Sequence, residues 1–348
     1  MKKEVINYFN NLSGRVVDDN DILSNETGVE KISENLLKAI KDNQFSNSGT
    51  FKTCVFFGDD KKPVFACLKS KKPYSQPQMA FIKNRDYQIK RLNDKLISEG
   101  ALITPIYARI VYRQNNKGVE ISKRINGDVL SVNNLSNFSK KILGRPLSTD
   151  QLFSEETPAK VKEKLGNALF EYNYNQQKVM INLPQENYDK LFKTFLIFNN
   201  HGLRFTDCHS ENIMVGENGF RVIDVDYDKL ILSKTRGTHY ETNKIIFDYL
   251  NPFSYSNLFH TLFTVGQQQK LYNNNIEILK KLVDGVTNNN SIINLSADHI
   301  NELMMGMVGV GNFLDKHNYI LESQINLRKE QGLNPDTFTS NIKVTRKK

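Results

Sequence analysis

The stretch that decides the fold is Phe205–Val215, with the sequence FTDCHSENIMV, and it is soon followed by Ile223–Tyr227, with the sequence IDVDY. Together they give Asp-x-His-x-x-Asn, an apolar strand, a turn, and then an Asp that follows an apolar residue. The carboxylate of Asp207 can accept a proton from an attacking hydroxyl. The amide of Asn212 and the carboxylate of Asp224 are hard oxygen donors of the kind that Mg²⁺ prefers. Phosphoryl transfer needs little beyond positioning and charge neutralisation, so the pattern predicts such a site.

These residues resemble the catalytic loop of the protein-kinase-like superfamily and the metal-binding Asp that follows it. Ordinary protein kinases carry His-Arg before the catalytic Asp and a Lys two residues after it, whereas this chain has Phe205-Thr206 and His209 at those places. The loop is closer to aminoglycoside phosphotransferases and phosphoinositide kinases, and IDVDY is similar to the corresponding segment of choline-kinase relatives. The resemblance implies an α+β, two-lobed fold with a small antiparallel-sheet N-lobe, a larger helical C-lobe and a nucleotide between them.

The resemblance also implies a role for each residue of the loop, with ATP and Mg²⁺ as cofactors. Asp207 would accept or orient the acceptor hydroxyl, and Asn212 and Asp224 would bind Mg²⁺. His209 stands where protein kinases have their Lys and would contact the γ-phosphate, although a structural hydrogen bond within the loop is the alternative for this residue. Asp226 would take part in a second metal site.

Upstream, residues 45–70 have the composition of a strand pair that could hold the nucleotide. Ser48–Cys54 resembles a degenerate Gly-rich loop, although it has one Gly where protein kinases have several. By this resemblance Gly49, Thr50 and Phe51 lie at the phosphates. A plain surface hairpin with a polar tip is the alternative for the loop taken alone.

Pro63–Lys69 then reads as a strand that ends in a lysine. In the family, the third strand carries the Lys that contacts the α- and β-phosphates, so Lys69 is expected in that role. Cys67 lies two residues earlier and must share a strand face with Lys69. By resemblance, Cys54 and Cys67 would both contact the adenine.

Gln76–Glu99 has apolar residues at helical spacing and is similar to the regulatory helix whose Glu pairs with the strand Lys. No Glu occurs between Lys69 and Glu99. We therefore expect Asp94 to be the partner of Lys69, with Asp86 as the second choice, and a solvated helix face is the alternative for both.

Two further strands are expected at Ile103–Tyr112 and Val119–Ser122. The segment Glu120–Asp128 resembles the hinge that binds adenine, with Glu120 in it, followed by a Gly-containing link. The lobe boundary is therefore expected near residues 124–128.

The C-terminal half should contain a polar, loop-rich insertion at about 129–185 with helical stretches around Thr157–Glu171. A helix over Tyr188–Asn200 should follow and end at His201-Gly202, as glycine commonly ends helices. Later apolar-periodic stretches should build the helical lobe, with a further helical stretch at Ile300–Tyr319 and loops at Asn273–Asn275 and Asn288–Asn290. The domain prediction is 1–44 as an N-terminal helical extension, 45–125 as the N-lobe, 126–340 as the C-lobe and 341–348 as a basic tail.

The composition agrees with a globular chain that carries an excess of positive charge. There are 47 Lys and Arg against 38 Asp and Glu, a formal net charge of +9, and three cysteines without paired or metal-type spacing. This balance would favour contact with an anionic activator or a membrane surface, and a Lys-rich solvated surface is the alternative. Without an apolar signal segment or a long apolar run, a cytoplasmic protein is expected.

Several functions fit these residues. The first is an ATP- and Mg²⁺-dependent kinase whose hydroxyl-bearing acceptor is a small molecule, a lipid headgroup or a protein. A bacterial effector protein kinase, delivered into a host cell without a cleavable signal peptide, is one form of it. The others are a nucleotide-binding pseudokinase scaffold and a kinase-fold nucleotidyl transferase. No nucleic-acid partner is expected, because no aromatic-basic motif supports one.

Overall fold

The protein is described by a computed structural model that divides into two units, Met1–Asn126 and Gly127–Lys348. The division falls within the boundary that the sequence predicts at 124–128. Both helices and strands are present, so the α+β class is confirmed. The residues that the structure describes are 3–42, 47–48, 52–58, 63–130, 135–154, 156–205, 210–225, 230–232, 262–289 and a few positions between 322 and 334.

The first unit is built on one six-stranded sheet with the strand order β1-β5-β6-β4-β3-β2. Neighbouring strands are antiparallel, except that β1 runs parallel to β5. The mixed sheet corrects the expectation of a purely antiparallel one. The elements are α1 (Lys3–Leu12), β1 (Val16–Val17), α2 (Asp19–Ile22), α3 (Glu30–Lys41), β2 (Asn47–Ser48), β3 (Lys52–Gly58), β4 (Pro63–Ser70), α4 (Gln76–Ser98), β5 (Ile106–Tyr112) and β6 (Lys117–Lys123).

The N-terminal helices are an integral part of this unit. Val5, Phe9 and Leu12 recur at helical spacing on α1 and are buried, as expected for an amphipathic helix that packs on a core. The ring of Phe9 lies 5.1 Å from that of Phe65 on β4 and stacks on Tyr107 of β5. The residues expected as an N-terminal helical extension over 1–44 do form helices, and these share their hydrophobic core with the sheet.

Different helices pack on the two faces of the sheet. Directly paired residues of antiparallel strands point to the same face, and Cys67 pairs with Val55 and with Ile121. All three are buried in the core formed with α1 and α3. We call this side the helix-covered face. Cys67 and Lys69 lie on it together, so the prediction that they share a face is confirmed.

On the opposite face, Leu68 pairs with Glu120, and Glu120 pairs with Arg109. Helix α4 packs here against β5: Asp86 lies 3.4 Å from the Arg109 guanidinium, and the Asn93 side chain bonds the backbone at the start of β5. We call this side the α4 face. The helix itself forms where the sequence predicts it.

Lys69 caps a helix instead of facing α4. Its Nζ donates hydrogen bonds to the carbonyl oxygens of Ala39 (3.0 Å), Ile40 (3.2 Å) and Asp42. Helix α3 ends at Asp42 in an extended conformation without a glycine, so its last carbonyls need a donor from elsewhere. The buried ammonium supplies three. Burial is the main cause that lowers the pKa of Lys69 below its ordinary value.

The expected pairing of Lys69 with Asp94 or Asp86 is wrong. Asp94 pairs with Lys90 one turn away, at 2.7 Å, and Asp86 pairs with Arg109. The physical reason is the strand alternation, which turns Lys69 toward α3 while α4 lies on the other side of the sheet.

The second unit has two small sheets and a set of long helices. One sheet has the strand order β10-β9-β7 and the other pairs β11 with β8. Its elements are β7 (Asp128–Val129), α5 (Leu135–Leu143), α6 (Thr149–Phe153), α7 (Ala159–Asn182), α8 (Gln185–Asn200), β8 (Leu203–Phe205), a 3-10 turn (Ser210–Asn212), β9 (Ile213–Gly216), β10 (Gly219–Val222), β11 (Leu230–Leu232) and α9 (Val265–Asn289).

Two expectations for this unit are corrected. The segment 129–185 is mostly helical where the structure describes it: α7 covers most of the helical stretch expected around Thr157–Glu171, and α5 and α6 are further helices that the sequence did not predict. The run Asn273–Asn275, expected as a loop, lies inside α9, and so do Asn288 and Asn289 of the second run. Gln177 of α7 donates to the Asn275 side chain at 2.8 Å and accepts from Asn274 at 3.1 Å. Hydrogen bonds between the two helices thus offset the low helix propensity of asparagine.

Other expectations agree or lie outside the described residues. Helix α8 ends at Asn200 with His201 as its C-cap, and Gly202 follows with a φ of 66°, as the sequence predicts. The later helical stretch expected at Ile300–Tyr319 and the tail 341–348 lie outside the described residues. Among the described helices, none has the length and apolar character that crossing a membrane requires.

We predict that Lys69→Met lowers the free energy of unfolding by about 1–3 kcal/mol, because buried carbonyls lose their donors. The measurement is urea denaturation. Lys123→Met is the matched control, since Lys123 is an exposed lysine at the end of the neighbouring strand β6, and its replacement should change the free energy by less than about 0.5 kcal/mol. Equal effects of the two substitutions would contradict the capping role.

The destabilisation by Lys69→Met should grow as the pH rises toward 10.5. The folded-state pKa of Lys69 is lowered, so between that pKa and its ordinary value the unfolded chain binds more protons, and the stability contributed by Lys69 increases with pH. The check is the difference between the unfolding free energies of wild type and variant at several pH values. A difference that shrinks with rising pH would refute the assignment.

Candidate functional site

The segment that contains Asp207 directly follows strand β8 in the sequence. Strand β8 pairs antiparallel with β11, with Phe205 opposite Leu230. Phe205 is completely buried, and its ring lies 6.2 Å from that of Phe198 on α8. The order of helix, glycine and short strand is the one that the sequence predicts. Asp207, Cys208, His209 and Asp226 lie outside the described residues, and their predicted roles stay predictions: Asp207 and His209 as catalytic residues, Asp226 as a metal ligand.

Asn212 and Asp224 are brought together by a β-hairpin. Strands β9 and β10 pair antiparallel from Gly216–Gly219 down to Ile213–Val222. One step beyond the last pair, the Ile223 N–H donates to the Asn212 carbonyl oxygen at 2.8 Å. Asn212 and Asp224 therefore flank the open end of the hairpin, as the sequence predicts.

The two side chains differ in burial. Asn212 is 7% exposed, whereas Asp224 is exposed to solvent. Asp224 also has a φ of 49°, in the left-handed region that non-glycine residues seldom occupy. Such backbone is costly by about 1–3 kcal/mol and is often found at functional sites.

The residues that the sequence proposes for metal binding fit Mg²⁺ by their donor chemistry. Asn212 offers an amide oxygen and Asp224 a carboxylate, and Mg²⁺ that travels with a nucleotide is typically held by one or two carboxylates and by the phosphates themselves. In the described part of the chain, no three His, Cys, Asp or Glu residues cluster as a metal site. A metal held by Asn212, Asp224 and phosphates does not require such a cluster.

A third strand supports the hairpin, and the sequence did not predict it. Val129 of β7 pairs with Met214 of β9. The carbonyl of Val129 also accepts hydrogen bonds from two side chains of α7, the Tyr172 hydroxyl at 3.2 Å and the Gln176 amide at 2.8 Å. Burial raises the pKa of Tyr172, and the negative charge of Asp128 adds to the rise. The signal that could have found this strand is the short apolar run directly after Asp128.

In the first unit, the residues proposed for adenine do not lie together. Cys67 is fully buried in the core under α1 and α3, and burial raises the pKa of its thiol to about 12. Cys54 pairs with Leu68 and so lies on the α4 face, on the other side of the sheet. A shared contact of Cys54 and Cys67 with adenine is therefore wrong, because no ligand can reach both faces.

The remaining positions of the proposed nucleotide site have different outcomes. Glu120 lies on the α4 face, 3.8 Å from the guanidinium of Arg109, and its proposed place in the hinge stays a prediction. Gly49, Thr50 and Phe51 lie outside the described residues. Of the residues proposed for ATP and Mg²⁺, the structure thus brings Asn212 and Asp224 together.

No model of a known protein family matches the chain, and no curated protein matches it.

The hairpin should depend on Gly219. Its φ is 89°, and a Cβ added there would lie 2.1 Å from the Asn187 side-chain oxygen. We predict that Gly219→Ala is destabilising by about 1–2 kcal/mol from the backbone alone, and by a further amount from the contact with Asn187. Gly144→Ala is the matched control, because Gly144 has a φ of 75° but no atom within 4 Å of the added Cβ.

The measurement for this prediction is thermal unfolding of both variants and of Gly219→Ala with Asn187→Ala. Asn187→Ala should restore the part of the stability that Gly219→Ala loses beyond the loss measured for Gly144→Ala. An equal loss in Gly219→Ala and Gly144→Ala would mean that the close approach of Asn187 has no role.

Proposed function

We propose that this protein is an ATP- and Mg²⁺-dependent phosphotransferase that transfers the γ-phosphoryl group to a hydroxyl. The observation that carries the proposal is the hairpin whose open end is flanked by Asn212 and Asp224, directly after the segment that contains Asp207. In such a site the two oxygen donors would hold Mg²⁺ on the nucleotide phosphates. Mg²⁺ would neutralise the charge that develops on the transferred group.

Asp207 would act on the acceptor. A carboxylate within hydrogen-bond reach of the hydroxyl can accept its proton or orient it. The proton then leaves with the carboxylate while the hydroxyl oxygen bonds to the γ-phosphorus and the bond to the β-phosphate oxygen breaks. His209, two residues later, would contact the γ-phosphate. These roles rest on the resemblance of the loop to kinase-like proteins, with a small molecule, a lipid headgroup or a protein as the acceptor; an effector protein kinase is one form of this proposal.

A second candidate is a nucleotide-binding protein that does not transfer the phosphoryl group, and one observation favours it. The lysine expected at the α- and β-phosphates is engaged with the end of α3. An amine there contributes to charge neutralisation in the resembled family. Because Lys69 contacts α3 instead, either the protein does not transfer the phosphoryl group or another cation takes this role.

We expect label from γ-labelled ATP, and none from α-labelled ATP, to appear in an acceptor when wild-type protein is incubated with Mg²⁺ and cell extract. Asp224→Asn should lower this transfer at least about 100-fold, because the metal loses a charged ligand, while asparagine tolerates the left-handed backbone. Glu217→Gln, an exposed acid in the turn of the same hairpin, is the matched control and should retain full transfer.

The other outcomes separate the candidates. Label from α-labelled ATP would mean nucleotidyl transfer. A thermal shift with Mg-ATP and no label would favour the binding protein. We expect Asp207→Asn to abolish transfer while leaving the Mg-ATP thermal shift in place, because this residue acts on the acceptor and not on the metal; a loss of the shift would assign Asp207 to nucleotide binding.

A further inference from the structure

Strand β7 is an outer strand of the small sheet whose middle strand, β9, directly follows Asn212. The Leu130 N–H donates to the Ile213 carbonyl oxygen at 2.7 Å, and Val129 pairs with Met214. In an antiparallel pair, the hydrogen-bonding groups of successive residues point alternately toward the partner strand and away from it. Since Leu130 bonds to β9, the carbonyl of Val129 points away from β9, to the edge of the sheet.

Helix α7 covers this edge with two side chains. The Val129 carbonyl oxygen accepts hydrogen bonds from the Tyr172 hydroxyl at 3.2 Å and from the Gln176 amide at 2.8 Å. Residues four apart lie on the same face of a helix, and a carbonyl oxygen has two lone pairs, so α7 supplies both donors that this carbonyl can use. Gln176 is 6% exposed. The edge of β7 is therefore bound to a long helix by buried hydrogen bonds.

Helix α7 is itself held firmly within the second unit. Leu169 and Phe170 belong to a buried hydrophobic core of this unit. One residue after Gln176, the amide of Gln177 donates to the Asn275 side chain of α9 at 2.8 Å. The two neighbouring amides thus have different partners, because Gln176 binds β7 and Gln177 binds α9.

Asn212 lies at the point where β9 is held from both sides. Its own carbonyl oxygen accepts from the Ile223 N–H at 2.8 Å, and the carbonyl oxygen of Ile213, the next residue, accepts from the Leu130 N–H. The Asn212 side chain is 7% exposed. Because neighbouring atoms pack closely around a buried side chain, the position of its amide oxygen depends on the position of the β9 backbone.

We propose that Gln176 and Tyr172 are positioning residues for the magnesium ligand Asn212. This inference rests on the proposed function, in which Asn212 and Asp224 hold Mg²⁺ on the nucleotide phosphates. Through the carbonyl of Val129 the two side chains fix β7 to α7, and β7 fixes the start of β9. Residues behind the ligands of a metal orient those ligands, and their loss typically lowers metal affinity about 10- to 100-fold.

The test measures how much Mg²⁺ raises the affinity for ATP, as the ratio of the ATP dissociation constant in excess EDTA to that in excess Mg²⁺. Gln176→Met removes the amide donor with little change in volume and should lower this ratio about 10-fold, the lower end of the usual range. The ATP affinity in EDTA should stay at the wild-type value. Tyr172→Phe removes one hydroxyl from a half-buried side chain and should lower the ratio by a smaller factor.

Gln177→Met is the matched control, because it removes a buried amide from the same helix and leaves Val129 both of its donors. It should lower the melting temperature, as Gln176→Met does, but keep the wild-type ratio. Each variant is measured at a temperature where thermal unfolding shows that it is folded.

A wild-type ratio in Gln176→Met would overturn the inference and leave the proposed function standing. If Gln176→Met does not fold, the ratio of Tyr172→Phe decides in the same way. An equal fall of the ratio in Gln177→Met would also overturn the inference, because any loosening of α7 would then have the same effect. Wild-type protein that binds no ATP, or binds it equally well with and without Mg²⁺, would instead overturn the proposed function together with this inference.

Discussion

The hydrogen bonds from the buried ammonium of Lys69 to the carboxyl end of α3 constrain the whole first unit. A helix end carries partial negative charge and unpaired carbonyls, and α3 ends in an extended residue without a glycine to fold the chain back. The same solution occurs in the second unit, where Lys281 of α9 donates to the carbonyls of Ile181 and Leu183 at the end of α7. In both units a lysine from another element completes a helix that its own sequence leaves open.

This constraint determines which side chains of β4 lie on each face of the sheet. Once Lys69 points to α3, the period of two along β4 sends Cys67 and Phe65 into the same core and Leu68 to the other side. Helices α1 and α3 share their core with one face of the sheet, and α4 packs against β5 on the other. The direction of one strand therefore decides which side chains of β4 enter the core with α1 and α3.

The sequence predicted the positions of several helices and strands, but not which face of the sheet each side chain of the first unit lies on. The α8–Gly202–β8 order and the hairpin between Asn212 and Asp224 follow from local patterns, because turn residues and apolar runs encode them directly. Local patterns do not show which face of the sheet each side chain of β4 lies on. The alternation along a strand shows that Cys67 and Lys69 share a face, but not which helix covers that face. The helical run at Asn273–Asn275 was missed for a related reason: asparagine favours loops locally, and only contacts with Gln177 of α7 offset this preference.

The candidate metal site depends on one short segment of the chain, whereas the residues proposed for the nucleotide come from several separate segments. Asn212 and Asp224 are joined by a short hairpin and by the hydrogen bond from Ile223 to the Asn212 carbonyl, so the geometry of this pair depends on few residues. The left-handed backbone of Asp224 is costly, and a turn with no further task would more readily use glycine there. Aspartate is one of the few non-glycine residues that adopt this backbone, so the position fits the proposed metal ligand. The two proposed ligands cannot be moved without rebuilding the hairpin.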